Sequence, residues 1–148
     1  MDSNTKKVLT VLAVLIVVVF GFFYAQNTRV YEFAGNVDKI ESGIIFASGR
    51  FLKNGEPVPG QEDNPVNLQI KTDNKTKITR LALYIPKGVS SFNTKDLKQT
   101  ESAASLDTIQ NDFTQSRSMG IESSLRKGFL DKDYTAESLY FRVPIFNN

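Results

Sequence analysis

The 148-residue chain contains no Cys, no His and no Trp. Without Cys there are no disulfides, no thiolate nucleophile and no lipidated N-terminal cysteine; without His there is no imidazole metal site, no Ser-His-Asp triad and no histidine acid–base pair. A small domain that lacks disulfides depends on its packed core, and 11 Phe and 5 Tyr supply the bulk for one. Charge of one sign is also scarce. The chain holds 18 Lys and Arg against 16 Asp and Glu, and because Lys6, Lys7 and Asp2 precede the apolar run, the remainder carries 16 against 15. So even a balance offers no field for nucleic acid, and nothing in the sequence asks for a cofactor.

What the chain does have is one long apolar run, from Val8 to Ala25, free of charge and interrupted only by Thr10, Gly21 and Tyr24. A helix rising about 1.5 Å per residue covers ~27 Å over that run, close to the ~30 Å hydrocarbon core of a bilayer. A cleaved signal would have a shorter apolar core and small residues before the cut. Here bulky Phe23 stands two positions before Ala25, so retention is expected. Phe22, Phe23 and Tyr24 are placed as interfacial aromatics, and Lys6 and Lys7 precede the run while Arg29 alone follows closely. The positive-inside bias then puts residues 1–7 in the cytoplasm, a membrane helix at 8–25, a short tether at 26–29 and a domain of residues 30–148 outside.

Downstream the pattern alternates. Tyr31, Phe33 and Val37 share one parity with Gly35 between them, a half-buried strand with a glycine in it. Glu41-Ser42-Gly43 reads as a turn, followed by a strand with Ile45, Ala47, Gly49 and Phe51 on one face and Ile44, Phe46, Ser48 and Arg50 on the other. Residues 53–65 are rich in Pro, Gly and charge and read as a loop. In PVNLQIKT, Val66, Leu68 and Ile70 point inward and Asn67, Gln69 and Lys71 outward. Asp73-Asn74-Lys75 reads as an exposed turn, within a glycosylation-type Asn74-Lys75-Thr76 pattern, and TKITRLALYIP as a fourth antiparallel strand. Leu106, Ile109 and Phe113 predict an amphipathic helix over about 100–117, with a further helical turn at 121–127, so the helical insertion spans about 100–127. YTAESLYFRVP closes the domain as a fifth strand. The expected fold is mainly β with a helical insertion (α+β).

The stretches EFAGNVDKIESGIIFASGRF, NKTKITRLALYIP and YTAESLYFRV resemble the small extracytoplasmic OB-like domains of unknown function found in membrane-anchored or exported bacterial proteins. The resemblance covers residues 30–86 and 134–143, and it implies a five-stranded antiparallel OB-like barrel or an open meander. The pattern departs from a standard OB fold in placing its helix between the fourth and fifth strands. The haem chaperone of cytochrome maturation has the same layout of helix and small barrel, but it attaches haem through a His that this chain lacks.

Phe46, Arg50, Gln69 and Lys71 would lie on the barrel face that OB-like domains use for oligonucleotides or oligosaccharides, and they are the candidate binding residues. The competing reading is that Phe46 is simply packed under a loop or the helix. Lys71 to Arg80 is a cation-rich segment that also suits an edge strand guarded against aggregation. Asp73, Asn74 and Thr76 begin like a calcium loop but lack its later Gly and Glu. The acidic pairs Glu62 and Asp63, and Asp131 and Asp133, read as solvated charges. The expected function is therefore non-catalytic: a membrane-anchored binding or envelope-assembly protein, whose partners are the membrane through its helix and envelope proteins or a cell-wall polymer. The alternatives are an oligosaccharide or cell-wall polymer binder and a carboxylate-dependent cell-envelope hydrolase.

Overall fold

The computed structural model describes residues 3–27, 29–60, 64–86, 97–116, 118–128, 131 and 133–146. Helix α1 spans Ser3–Asn27. Within it Lys7–Ala25 is long and apolar enough to cross a membrane, and none of that stretch is buried against the rest of the protein. The helix continues through the first half of the expected tether, so only residues 28 and 29 separate it from the first strand.

Strand β1 (Val30–Glu41) turns through Ser42 and Gly43 into β2 (Ile44–Lys53). Both turn residues have positive φ, 51° and 79°, the geometry whose twist matches a β-hairpin. The two strands pair antiparallel from Glu32↔Leu52 to Glu41↔Ile44, with one extra residue, Asp38, accommodated between Val37 and Lys39. That bulge shifts the alternation by one, so Phe33, Val37 and Ile40 are all buried despite their uneven spacing. The bulged Asp38 accepts a 2.9 Å hydrogen bond from Ser48 Oγ.

Gly35 and Gly49 face each other at the middle of this hairpin. A Cβ on Gly35 would overlap the Ser48 carbonyl oxygen and lie 2.7 Å from the Gly49 Cα; one on Gly49 would overlap the Ala34 carbonyl oxygen and lie 2.8 Å from Phe33 Cζ. Neither position has room for a side chain. The Phe33 ring instead covers the bare backbone of Gly49, and glycines at such a point let paired strands coil.

The remaining strands are β3 (Glu56–Pro57), β4 (Val66–Lys71), β5 (Lys77–Ile85), β6 (Lys98–Ala103), β7 (Gly120–Arg126) and β8 (Tyr134–Phe146). β3 is a brief return against the end of β2. β4 pairs antiparallel with β2 and parallel with the start of β8, where Ile70 meets Tyr134 and Lys71 meets Thr135. β7 lies antiparallel between β1 and β8. Hydrogen-bonded neighbours therefore run β1, β2, β4, β8, β7 and back to β1. Followed from Val30 through Arg126, Thr135, Lys71 and Ile44, the ladder returns to β1 at Glu41.

Three expectations are corrected. The Asp73 turn does not reverse the chain. β5 continues in the direction of β4 along the same edge of β8, in parallel register from Lys77↔Ser138 to Ile85↔Phe146, so the fourth predicted strand is parallel to its main partner. The excursion between them is pinned: Thr76 Oγ1 donates to the Ala136 carbonyl at 2.7 Å, and Asp73 Oδ1 accepts from the Lys75 amide at 2.8 Å. Secondly, the helix α2 is shorter than expected, Leu106–Ser116. Its expected first turn is edge strand β6, every residue of which is exposed and which pairs with β5 through its backbone, with the Lys98 ammonium 5.5 Å above the Tyr84 ring. Thirdly, 121–127 is no helical turn. It is β7, with Ile121, Ser123 and Leu125 buried. The described residues thus form eight strands rather than five, still mainly β with one helix set into the β region.

Helix α2 begins at Ser105, whose hydroxyl accepts from the Thr108 amide at 3.2 Å as a cap. Ile109 enters the core fully buried, and Leu106 and Phe113 pack at its margin. Arg80 on β5 holds the helix through a two-pronged ion pair to Asp112, with Nε at 2.5 Å and a terminal nitrogen at 3.1 Å. The core on the inner face of the sheet is Phe33, Val37, Ile40, Ile45, Ala47, Ile70, Ile109, Met119, Ile121, Leu125, Ala136, Leu139, Phe141 and Val143. Tyr31, Phe51 and Tyr134 close one end, with ring centroids 5.5–5.9 Å apart.

Glu62 and Asp63 lie outside the described residues. Asp133 is paired with Lys71 at 2.7 Å, and a carboxylate oxygen of Asp131 accepts from the Gly128 amide.

Two substitutions test this packing. Gly49→Ala forces a methyl group into backbone and is expected to cost about 1–3 kcal/mol in urea unfolding, whereas Thr100→Ala on exposed β6 changes stability by less than about 0.5 kcal/mol. Ser123 Oγ is buried with no hydrogen-bond partner among the described residues. Ser123→Ala removes that cost, so stability is expected to hold or rise, by up to about 1 kcal/mol. A large loss in that variant would mean that the hydroxyl is in fact bonded.

Candidate binding surface

Residues that alternate with the core residues form the outer sheet face. Read across the strands, one row runs Arg50, Ala34, Glu122, Tyr140 and Thr79; the next runs Leu52, Glu32, Ser124, Ser138 and Lys77. Where these rows cross β1, β7 and β8 the sheet forms an open groove of about 520 Å³ lined by Glu32, Leu52, Glu122, Ser124, Ser138 and Tyr140. The Gly55 turn at the end of the β2–β3 hairpin forms part of its rim.

The groove has polar residues on β1, β7 and β8, with Leu52 at one edge and the Tyr140 ring at the other. Ser124 and Ser138 present hydroxyls, Leu52 an alkyl wall, and Tyr140 a ring with a hydroxyl at its end. Glu122 is bridged to Arg142, both side chains being about half exposed. Burial pushes the Tyr140 phenol above its ordinary value, with Glu101 adding to the rise. It is therefore a neutral hydroxyl at physiological pH, able to donate and to accept a hydrogen bond.

The four residues singled out from the sequence all lie on this outer face, on its β2–β4 side, and none lines the groove. Phe46 and Gln69 are direct cross-strand partners. Phe46 is half-buried, with the Lys39 ammonium 5.9 Å above its ring. Arg50 stands four residues along β2, half-buried and opposite Ala34. Lys71 is committed to Asp133, and that hydrogen bond raises its pKa. On this shared face Arg50 and Gln69 offer polar groups and Phe46 an aromatic ring, while Lys71 is spent in an ion pair.

Sequence reasoning missed the groove itself. Its signal was the outward set Ser138, Tyr140 and Arg142 in the last strand, together with Glu122 and Ser124 in a segment read as helical.

Tyr140 and Tyr134 provide a check. Burial raises both phenols, with Tyr31 adding to the rise at Tyr134. In an ultraviolet titration they are expected to ionise above an exposed tyrosine, and the latest-titrating phenols should disappear in Tyr140→Phe and Tyr134→Phe. In the unfolded chain both groups keep the ordinary value near 10. Stability from their neutral forms is thus complete below that value and is lost as pH rises through the raised one.

No protein-family model matches the chain, and neither a curated protein nor a solved structure was found that matches it, so the functional reading rests on the geometry above.

Proposed function

We propose that this is a non-catalytic, single-pass membrane-anchored binding protein that works in assembly of the cell envelope. Its N-terminus is cytoplasmic, and its β domain stands outside as an OB-like barrel. The observation that carries the reading is the combination of an unpacked apolar helix, Lys7–Ala25, with a sheet that begins three residues beyond the helix end and bears an open groove on its outer face. The charge flanks support the orientation, Lys6 and Lys7 on one side and Arg29 on the other.

The strand circuit supports the OB-like assignment. Taken in chain order its strands are β1, β2, β4, β7 and β8, with a parallel contact between the third, β4, and the last, β8, and α2 enters between β4 and β7. The helix then lies between the third and fourth strands of the circuit, where an OB fold has it. The hairpin of β5 and β6 is an addition that opens the sheet away from β8.

The groove chemistry favours a polyhydroxylated ligand, such as a cell-wall polymer, as the bound partner. Hydroxyls, a carboxylate and a phenol make the directional bonds, and Tyr140 and Leu52 provide apolar contact for a sugar ring. Phe46, Arg50 and Gln69 extend the same face for a long ligand. A hydrolase has weaker support: of the two groove carboxylates, Glu122 is held by Arg142, and the groove is open to solvent.

Cell fractionation with protease shaving tests the anchor. The full-length chain should stay in the membrane after alkaline extraction and lose residues beyond 29 to external protease; an outer domain protected in intact cells and digested only after lysis would reverse the topology. For the ligand, Tyr140→Ala and Arg50→Ala should each reduce co-sedimentation with insoluble cell-wall polymer several-fold, while the chain remains folded. Undiminished sedimentation in both would remove the groove face as the site.

A further inference from the structure

The tether fixes which end of the β domain meets the bilayer. Val30 is three residues beyond Asn27, and an extended chain covers at most about 10 Å over that distance. Whatever lies beside the start of β1 is held at the lipid surface once α1 is inserted. Val30 is the direct partner of Arg126 on β7. Arg126 in turn reaches Glu137 at 3.0 Å and Asp73 at 3.8 Å, which brings the 72–76 excursion to the same end. A depression there of about 460 Å³ is lined by Asp73, Lys75, Lys77, Arg126 and Glu137.

The charges at this end are unevenly used. Of the carboxylates at this end, Asp73 and Glu137 are engaged by Arg126, Asp133 is paired with Lys71, and Asp131 accepts from the Gly128 amide. Arg29, Lys75 and Lys77 are exposed, and none is in an ion pair with another described residue. Lys127 has its ammonium 4.9 Å above the Tyr134 ring. The excursion that carries Lys75 is rigid, since its turn bonds to itself and to β8. The cations are thus presented by a fixed surface and not by a floppy loop.

We propose that Arg29, Lys75, Lys77, Arg126 and Lys127 form a membrane-facing surface that docks the β domain onto anionic phospholipid headgroups. The proposal rests on α1 being a membrane anchor but not on which side the domain occupies. Most of these cations lie far from α1 in sequence and reach the bilayer only through folding. They therefore fall outside the window within which positive charge orients a membrane helix, and they do not oppose the topology proposed above. Docking would fix the height and tilt of the groove above the membrane, which a short tether alone leaves free to swivel.

The absence of Cys allows a clean test, because a single introduced Cys carries the only label. The full-length chain, with a fluorophore at Asn74→Cys or at exposed Ser118→Cys, which precedes β7 at the end opposite Arg126, is reconstituted in phosphatidylcholine vesicles with or without phosphatidylglycerol. Headgroup-attached quenchers then report the approach of each site. With phosphatidylglycerol present, quenching at position 74 should exceed that at position 118 by roughly twofold or more, as expected for several cations near an anionic surface. The difference should shrink in phosphatidylcholine alone, in the Lys75→Glu/Lys77→Glu variant, and at about 1 M salt, where the Debye length is ~3 Å. Equal quenching at both sites, or quenching indifferent to lipid charge and to the reversal, would overturn the docking surface while leaving the anchor intact. Vesicle flotation separates the two. A chain that fails to float with the vesicles removes the anchor and the docking surface together.

Discussion

The close crossing of β1 and β2 at Gly35 and Gly49 is the constraint from which the rest of the β domain follows. Two strands that meet with no side chain between backbone and backbone can coil, and a coiled β1 can pair with β2 along one edge and with β7 along the other. The Phe33 ring takes the space that the missing side chains leave. Because β1 curves, the ladder that starts at Val30 comes back to it eleven residues later, at Glu41. The bulge at Asp38 completes the bend and returns Ile40 to the core. A flat hairpin would have left the core residues of β4, β7 and β8 without an opposite wall.

The same curvature arranges the outer surface. Alternation puts Glu32, Glu122, Ser124, Ser138 and Tyr140 on the far side of strands whose inner side is Phe33, Ile121, Leu125, Leu139 and Phe141. The groove and the core are therefore two readings of one register, and a one-residue slip would exchange them. At one end of β1 the chain enters from α1; there Arg126 gathers Asp73 and Glu137 and leaves Lys75 and Lys77 outward. Polar chemistry across the sheet and positive charge at its base thus belong to different parts of the surface, and each suits a different contact.

Much of this was legible from residue order, and the failures share a cause. The inward sets Ile45, Ala47 and Phe51, then Val66, Leu68 and Ile70, then Leu139, Phe141 and Val143 were readable because burial on one face writes a period of two. β6 was not, since KQTESA is exposed on both faces and is held by backbone bonds that leave no mark on composition. β7 was obscured by Ser123, a hydroxyl at a core position, which broke the apolar alternation between Ile121 and Leu125. The 72–76 segment has the residues of a reversal, yet the chain resumes its direction. A turn motif specifies local hydrogen bonds, such as those of Asp73, and says nothing about which strand edge is vacant next. Of the candidate site, the sequence placed Phe46, Arg50, Gln69 and Lys71 on the outer face, but it could not show that Lys71 is occupied by Asp133.

By itself the sequence determined the quantities that are additive along the chain: an uncharged apolar run long enough for a bilayer, chemistry limited by the lack of Cys and His, and the inward side of each strongly alternating strand. Only the tertiary structure decided the quantities that depend on who stands opposite whom. It set β4 and β5 in file along one edge of β8, turned a serine-rich segment into the strand that closes the ladder, and brought Lys75, Lys77 and Arg126 from distant positions to the end that follows the helix. The physical reason is that burial is a property of single residues, whereas strand pairing is a choice among edges, and that choice is made by the whole sheet at once.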